Sequence, residues 1–138
     1  VSIPIFYWRK DYSVNVQEMD KHHRQLFERA NRFYEAMNTE QERMILQDSL
    51  DFLARYAEFH FAEEETLIKQ HGYPDYEGHQ RKHQRLIQRV RDLQKQFQDI
   101  PDIEMGMEFL AFLKNWVINH ILTEDRKYAQ FLNKRGVY

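Results

Sequence analysis

Two pairs of residues spaced by four carry the first chemical signal: His60 with Glu64, and His79 with His83. On a helix such partners stand one turn apart, about 40° around the axis, so a pair can grip one metal ion. Both pairs lie on faces that also carry apolar residues, His79 and His83 in line with Val90 and Phe97. His120 follows Phe112 and Trp116 at steps of four, and His23 precedes Phe27, Ala30 and Tyr34 in the same manner. One histidine on an apolar face is usually a core residue with a hydrogen-bond partner. Five of them, drawn from four separate segments together with a carboxylate, are costly to bury unless something strong binds them. Coordination to a metal removes that cost. The chain has no cysteine, so the ligands are nitrogen and oxygen.

Three local ambiguities follow from helix geometry. His22 and His23 are adjacent, and at about 100° per residue His23 lies roughly 25° from the mean apolar direction and His22 roughly 75°. His23 is the better ligand. In the run Glu63-Glu64-Glu65 only Glu64 is one turn from His60, which leaves Glu63 and Glu65 as solvated flank or outer support. Glu124 is four residues after His120 and shares its face, whereas Asp125 is about 140° away on a regular helix. Spacing alone favours Glu124.

The elements that must position these groups are helical. Apolar residues recur with a 3.6-residue period, and all three prolines and two of the four glycines fall in the gaps, at Pro4, Gly72, Pro74, Pro101 and Gly136. The pattern predicts an irregular N-terminal arm over 1–18 and helices over about 19–37, 39–71, 75–98 and 102–133. Their inward faces carry Leu26, Phe27, Ala30, Phe33 and Tyr34; Leu46, Leu50, Leu53, Ala57, Leu67 and Ile68; Leu86, Ile87, Val90, Leu93 and Phe97; and Phe109, Phe112, Leu113, Trp116, Val117 and Phe131. Gly72 is expected to cap the second helix in a left-handed conformation, and Asp75 to cap the start of the third. Short connections imply antiparallel neighbours, hence an all-α, up-down-up-down four-helix bundle. At 138 residues the expectation is one domain, 1–138.

Charge and composition exclude other classes. The net charge is −2 with the signs interspersed, so no basic stripe points to nucleic acid or to a membrane surface. No apolar run of about 18 residues exists, and Val1-Ser2-Ile3-Pro4 lacks the basic and apolar regions of a secretory signal. The expected compartment is the cytoplasm. No side chain stands out as a catalytic proton donor or acceptor, so a binding protein is expected rather than an enzyme. Tyr34, Tyr56 and Tyr128 read as core or rim aromatics.

The segments Met19-Asp20-Lys21-His22-His23-Arg24-Gln25-Leu26-Phe27, His60-Phe61-Ala62-Glu63-Glu64, His79-Gln80-Arg81-Lys82-His83 and His120-Ile121-Leu122-Thr123-Glu124-Asp125 together resemble the hemerythrin family, above all its bacterial members. Trp8 and Tyr12-Ser13-Val14 resemble the arm before the first helix of those members. The resemblance implies two irons bridged by an oxo or hydroxo group, with His79, His83 and His120 on one and His23 and His60 on the other. Glu64 and Asp125 are then the carboxylates that bridge both. It also places Asp125 inside, against the spacing argument, which calls for a π-type bulge between His120 and Asp125. Family members commonly carry glutamine before the histidine of the first helix, where this chain has His22, read either as support for the site or as a residue of the helix edge.

With five imidazoles, two bridging carboxylates and one bridging oxygen, two six-coordinate irons keep a single open position, on the two-histidine side. Dioxygen is the implied ligand there, bound reversibly for storage, delivery or sensing, in a pocket lined by Phe27, Phe61, Trp116 and Ile121. An apolar lining slows oxidation of the iron. Two other readings belong to different classes: a sensor domain of a larger signalling protein, and a di-iron peroxidase or nitric-oxide-handling enzyme.

Overall fold

The computed structural model describes residues 6–39 and 43–138. Its elements, in chain order, are a 3-10 turn Lys10–Tyr12, α1 Gln17–Met37, α2 Arg43–Gln70, α3 Tyr76–Asp99, α4 Ile103–Trp116, a π-helical segment Val117–Asp125 and α5 Arg126–Asn133. All regular structure among the described residues is helical. The four expected helices are present, with the last divided into three parts by the π segment. Residues 1–5 of the expected arm, residues 40–42 of the expected second helix and the side chain of Val117 lie outside the described residues.

Local chemistry explains most of the boundaries. Gly72 takes φ +71°, and the N–H groups of Gly72 and Tyr73 reach the carbonyls of Lys69 and Ile68 at 3.1 and 3.0 Å. That is the left-handed helix end expected at this glycine, where a side chain would be strained. Gly136 ends the last helix in the same way, with φ +78°. Asp75 departs from expectation. It stands at the N-cap position of α3 but makes no side-chain cap bond, and its carbonyl accepts from His79 N–H at 3.0 Å instead. Asp102 does cap α4, accepting from Met105 N–H at 2.9 Å. Helix α1 begins two residues earlier than expected, and Asp20 ties its first turn to the arm. That carboxylate accepts from Ser13 Oγ at 2.6 Å and from Val14 N–H at 2.9 Å.

α1 packs on α2, α2 on α3 and α3 on α4, and α1 closes the ring against α4. The interior at one end is apolar: Phe33 meets Phe97 and Phe109 edge-on at 5.7 and 6.3 Å, with Leu26, Leu50, Leu53, Leu93 and Leu110 fully buried around them. Tyr34, Leu46, Leu67, Leu86, Ile87, Phe112 and Phe131 pack against this core while remaining half-buried, so the expected inward faces are wider than the sealed one. The arm lies across α1. The side chain of Asn31 pairs with both the N–H and the carbonyl of Phe6 at 2.9 Å, and the Trp8 and Tyr12 rings rest on Phe27 at 5.7 and 5.5 Å. Among the described residues, no helix is long and apolar enough to cross a membrane.

Candidate metal centre

At the other end of the interior the helices bring seven polar side chains together, and all are sealed. His23, Glu64, His83 and Asp125 are 0 % exposed, His60 and His79 1 %, and His120 6 %. α1 supplies His23, α2 supplies His60 and Glu64, α3 supplies His79 and His83, and the π segment supplies His120 and Asp125. These are the seven residues named from the sequence.

They form two groups that share both carboxylates: Glu64, His79, His83, His120 and Asp125, and His23, His60, Glu64 and Asp125. In the first, His83 Nε2 is 3.1 Å from His120 Nε2 and 3.0 Å from Glu64 Oε1, and His79 Nε2 is 2.6 Å from the same oxygen. Asp125 Oδ1 is 3.0 Å from His120 Nε2 and 3.4 Å from His79 Nε2. In the second, His23 Nε2 is 3.1 Å from His60 Nε2, 3.3 Å from Asp125 Oδ2 and 4.0 Å from Glu64 Oε2, and His60 Nε2 is 3.2 Å from Glu64 Oε2. Each carboxylate therefore turns one oxygen to each group.

Hydrogen bonding does not account for this crowd. Both Asp125 oxygens and His23 Nδ1 are buried without a hydrogen-bond partner, although imidazole nitrogens stand within ion-pair distance of those oxygens. Distance is satisfied and direction is not, so the groups aim at shared points rather than at each other. An octahedral ion with bonds of about 2.1 Å sets neighbouring ligand atoms about 3.0 Å apart and opposite ones about 4.2 Å apart. The separations here, 3.0–3.4 Å with a single 4.0 Å, match that pattern apart from the shorter 2.6 Å His79–Glu64 approach. The donor set fits transition-metal cations that take imidazole and carboxylate ligands, iron among them.

The π segment decides between Glu124 and Asp125. Its wider i→i+5 turns bring residues five apart onto nearly one face, so His120 and Asp125 both point inward. Glu124, which spacing on a regular helix favoured, sits at the rim and is held by Lys82 at 2.7 Å and Lys127 at 3.2 Å. Partial burial works against its charge, but the two lysines outweigh it and hold the carboxyl below its ordinary value.

The electrostatics fit ionised bridges. Burial pushes the Glu64 carboxyl up, yet the charge and hydrogen bond of His60, with those of His79 and His83, hold it well below 4.5. Asp125 is likewise lowered: burial and the Glu64 charge oppose ionisation, and His120 and His23 overcome them. Burial drives His60 down to about 4 despite Glu64 beside it. Burial pushes His79 down as well, but the Asp125 and Glu64 carboxylates beside it outweigh that and raise it to about 10.

Three side chains stand around the cluster. Tyr128 is fully buried, as a core aromatic, and also donates its hydroxyl to Glu64 Oε2 at 2.9 Å, a contact the sequence reading did not include. Its position three residues after Asp125, one turn along the same helix, was the available signal. Glu65 Oε2 is 3.1 Å from His83 Nδ1, whereas Glu63 is exposed. His22 is buried, with its Nδ1 3.0 Å from His60 Nδ1.

Of the four apolar residues expected at the pocket, Phe61 stacks on His83 at 4.3 Å and meets Trp116 edge-on at 5.1 Å. Trp116 faces His120 at 6.3 Å, and Ile121 is 0 % exposed directly after it in sequence. The aromatic neighbours of Phe27 are Phe6, Trp8 and Tyr12, residues of the arm.

The profile of the hemerythrin HHE cation binding domain matches residues 14–132. A bacteriohemerythrin of Clostridium acetobutylicum is 32 % identical over 127 residues, covering 90 % of this chain and 98 % of that protein. A bacteriohemerythrin of Stenotrophomonas maltophilia is 33 % identical, covering 88 % of this chain and 78 % of its own length. The crystal structure of a wild-type hemerythrin superposes with a TM-score of 0.82 at 29 % identity, over 91 % of this chain and 96 % of that one.

Proposed function

Because the chain belongs to the hemerythrin HHE cation-binding domain family, we propose that it binds dioxygen reversibly at two bridged irons inside the bundle. His79, His83 and His120 hold one iron, His23 and His60 hold the other, and Glu64 and Asp125 span both. A single oxo or hydroxo bridge completes the set and leaves one position open on the two-histidine side. When bound, the iron pair supplies that position and two reducing equivalents for dioxygen.

The observation that carries this reading is the division of the carboxylates. Glu64 gives Oε1 to the three-histidine group and Oε2 to the other, and Asp125 divides Oδ1 and Oδ2 in the same sense. One metal would not need that arrangement. Nitrogen-rich ligation also separates the site from carboxylate-rich di-iron bundles built on Glu-x-x-His pairs. The remaining residues hold and shield. Tyr128 fixes Glu64 from behind, and Phe61, Trp116 and Ile121 keep water from the imidazole edges.

Metal analysis with an absorption spectrum of the reduced protein, before and after air, tests the proposal. Two irons per chain and a visible charge-transfer band that appears with oxygen and fades on its removal are expected. One zinc per chain, or a spectrum indifferent to oxygen, would overturn it.

A further inference from the structure

Each ligating imidazole has a second ring nitrogen, and this protein treats those nitrogens unequally. His83 Nδ1 faces the Glu65 carboxylate at 3.1 Å, and His23 Nδ1 is buried with no partner. His60 Nδ1 instead faces another histidine, with His22 Nδ1 3.0 Å away in a buried contact. His60 turns Nε2 toward the metal centre, 3.1 Å from His23 Nε2. An imidazole that gives Nε2 to a metal keeps its hydrogen on Nδ1. His60 is then the donor, and His22 Nδ1 must be the acceptor.

That assignment fixes the rest of the His22 ring. Its hydrogen sits on Nε2, which lies 3.2 Å from Glu18 Oε1, one turn earlier on α1. The ring cannot easily swing away, because Tyr56 and Phe59 pack against it at 6.2 and 5.5 Å. The Glu18 side chain is 65 % exposed and that of His22 6 %, so one hydrogen bond and one contact at ion-pair distance link a surface carboxylate to an inner ligand.

We propose that His22 is a positioning residue for the two-histidine metal, holding His60 through its Nδ1 and anchored in turn by Glu18. This rests on the two-iron reading above. By accepting the His60 hydrogen, His22 makes that imidazole a stronger ligand and sets its ring plane, the service an outer carboxylate usually performs. Glu65 does this directly for His83 in the other group. A neutral ring placed between ligand and carboxylate gives a softer version of it, on the side that carries the open position. Glutamine, with one acceptor oxygen at similar reach, can replace the bond to His60 but not the link to Glu18.

The test follows the rates at which a chelator removes iron from the loaded protein and from His22→Leu, His22→Gln and Glu18→Ala. Outer partners of metal ligands typically change affinity about 10- to 100-fold. In His22→Leu one iron should leave about tenfold faster or more, with the other leaving at the wild-type rate. His22→Gln should restore most of the difference, which a purely structural role for the histidine would not produce. Glu18→Ala, at an exposed position, should fall between wild type and His22→Leu, and it decides the matter if the leucine variant does not fold. Unchanged release in the variants, equal acceleration of both irons, or failure of glutamine to rescue would overturn the proposal alone. Wild-type protein that loads fewer than two irons would overturn the two-iron reading, and the role of His22 with it.

Discussion

Tyr128 donates its hydroxyl to Glu64 Oε2 at 2.9 Å, with both side chains sealed from solvent. The same oxygen stands 3.2 Å from His60 Nε2, on the two-histidine side of the site. Burial first, and then the Glu64 and Asp125 charges, push the tyrosine hydroxyl well above 10, so it remains a donor at any working pH. Tyr128→Phe keeps the ring and deletes the bond. The metal-free variant should lose about 1.5–3 kcal/mol, the usual range for a hydrogen bond to a charged group, and urea unfolding measures it. Iron should also bind roughly tenfold more weakly in competition with a chelator. A variant matching wild type in both would show that the bond is idle.

Asp125→Asn and Glu124→Gln should separate cleanly. Asp125 touches both groups of imidazoles, so on the proposed two-iron reading its substitution should lower metal content below two per chain. Among the described residues Glu124 pairs with Lys82 and Lys127, and its substitution should leave metal content unchanged. Its ion pairs are near the surface and worth at most about 1 kcal/mol. Metal analysis of the two purified variants decides it, and the opposite pattern would restore Glu124 as the ligand.

The metal-free protein should lose stability as pH rises above neutrality. His79 is raised from 6.5 to about 10 in the folded state, so its contribution is complete below pH 6.5 and is lost on the way to pH 10. His83 is raised as well and acts in the same direction. His60, lowered to about 4, binds its proton more readily when unfolded, and it costs stability only below about pH 6.5. Glu64 and Asp125, both lowered, withdraw their support as the pH falls through the acid range. Thermal midpoints of metal-free protein between pH 6.5 and 10 should therefore fall steadily. Once loaded, the same imidazoles are held by metal rather than protons, and the slope should flatten.

Phe61 joins the site to the core, stacked on His83 at 4.3 Å and edge-on to Trp116 at 5.1 Å. Phe61→Ala should cost about 3–5 kcal/mol, as large-to-small changes in packed cores do. Phe61→Leu keeps most of the volume and should cost far less, yet it opens the imidazole edge to water. The reduced iron-loaded leucine variant should oxidise faster in air than wild type, as followed by absorbance. An unchanged oxidation rate would take Phe61 out of the pocket lining.

The absence of cysteine sets the nitrogen-and-oxygen character of the site, and Asp125 was named only through the family resemblance. Periodicity and spacing determine the helices and six of the seven candidate ligands. Those features are local, since a residue four positions on lies on the same face wherever the helix goes. Gly72 was readable for the same reason, because a left-handed helix end needs only its own few residues. What tertiary structure decided depends on distance across the bundle. Spacing on a regular helix chose Glu124. The π segment turns Asp125 inward in its place, and Lys82 from α3 holds Glu124 at the rim. The positions of Tyr128 and His22 beside the site were readable, but their partners were not, because Glu64 and His60 come to them from another helix. The division of each carboxylate between two groups of imidazoles belongs to the packed bundle alone. It requires helices remote in sequence to place their oxygens and nitrogens within a few ångströms of shared points.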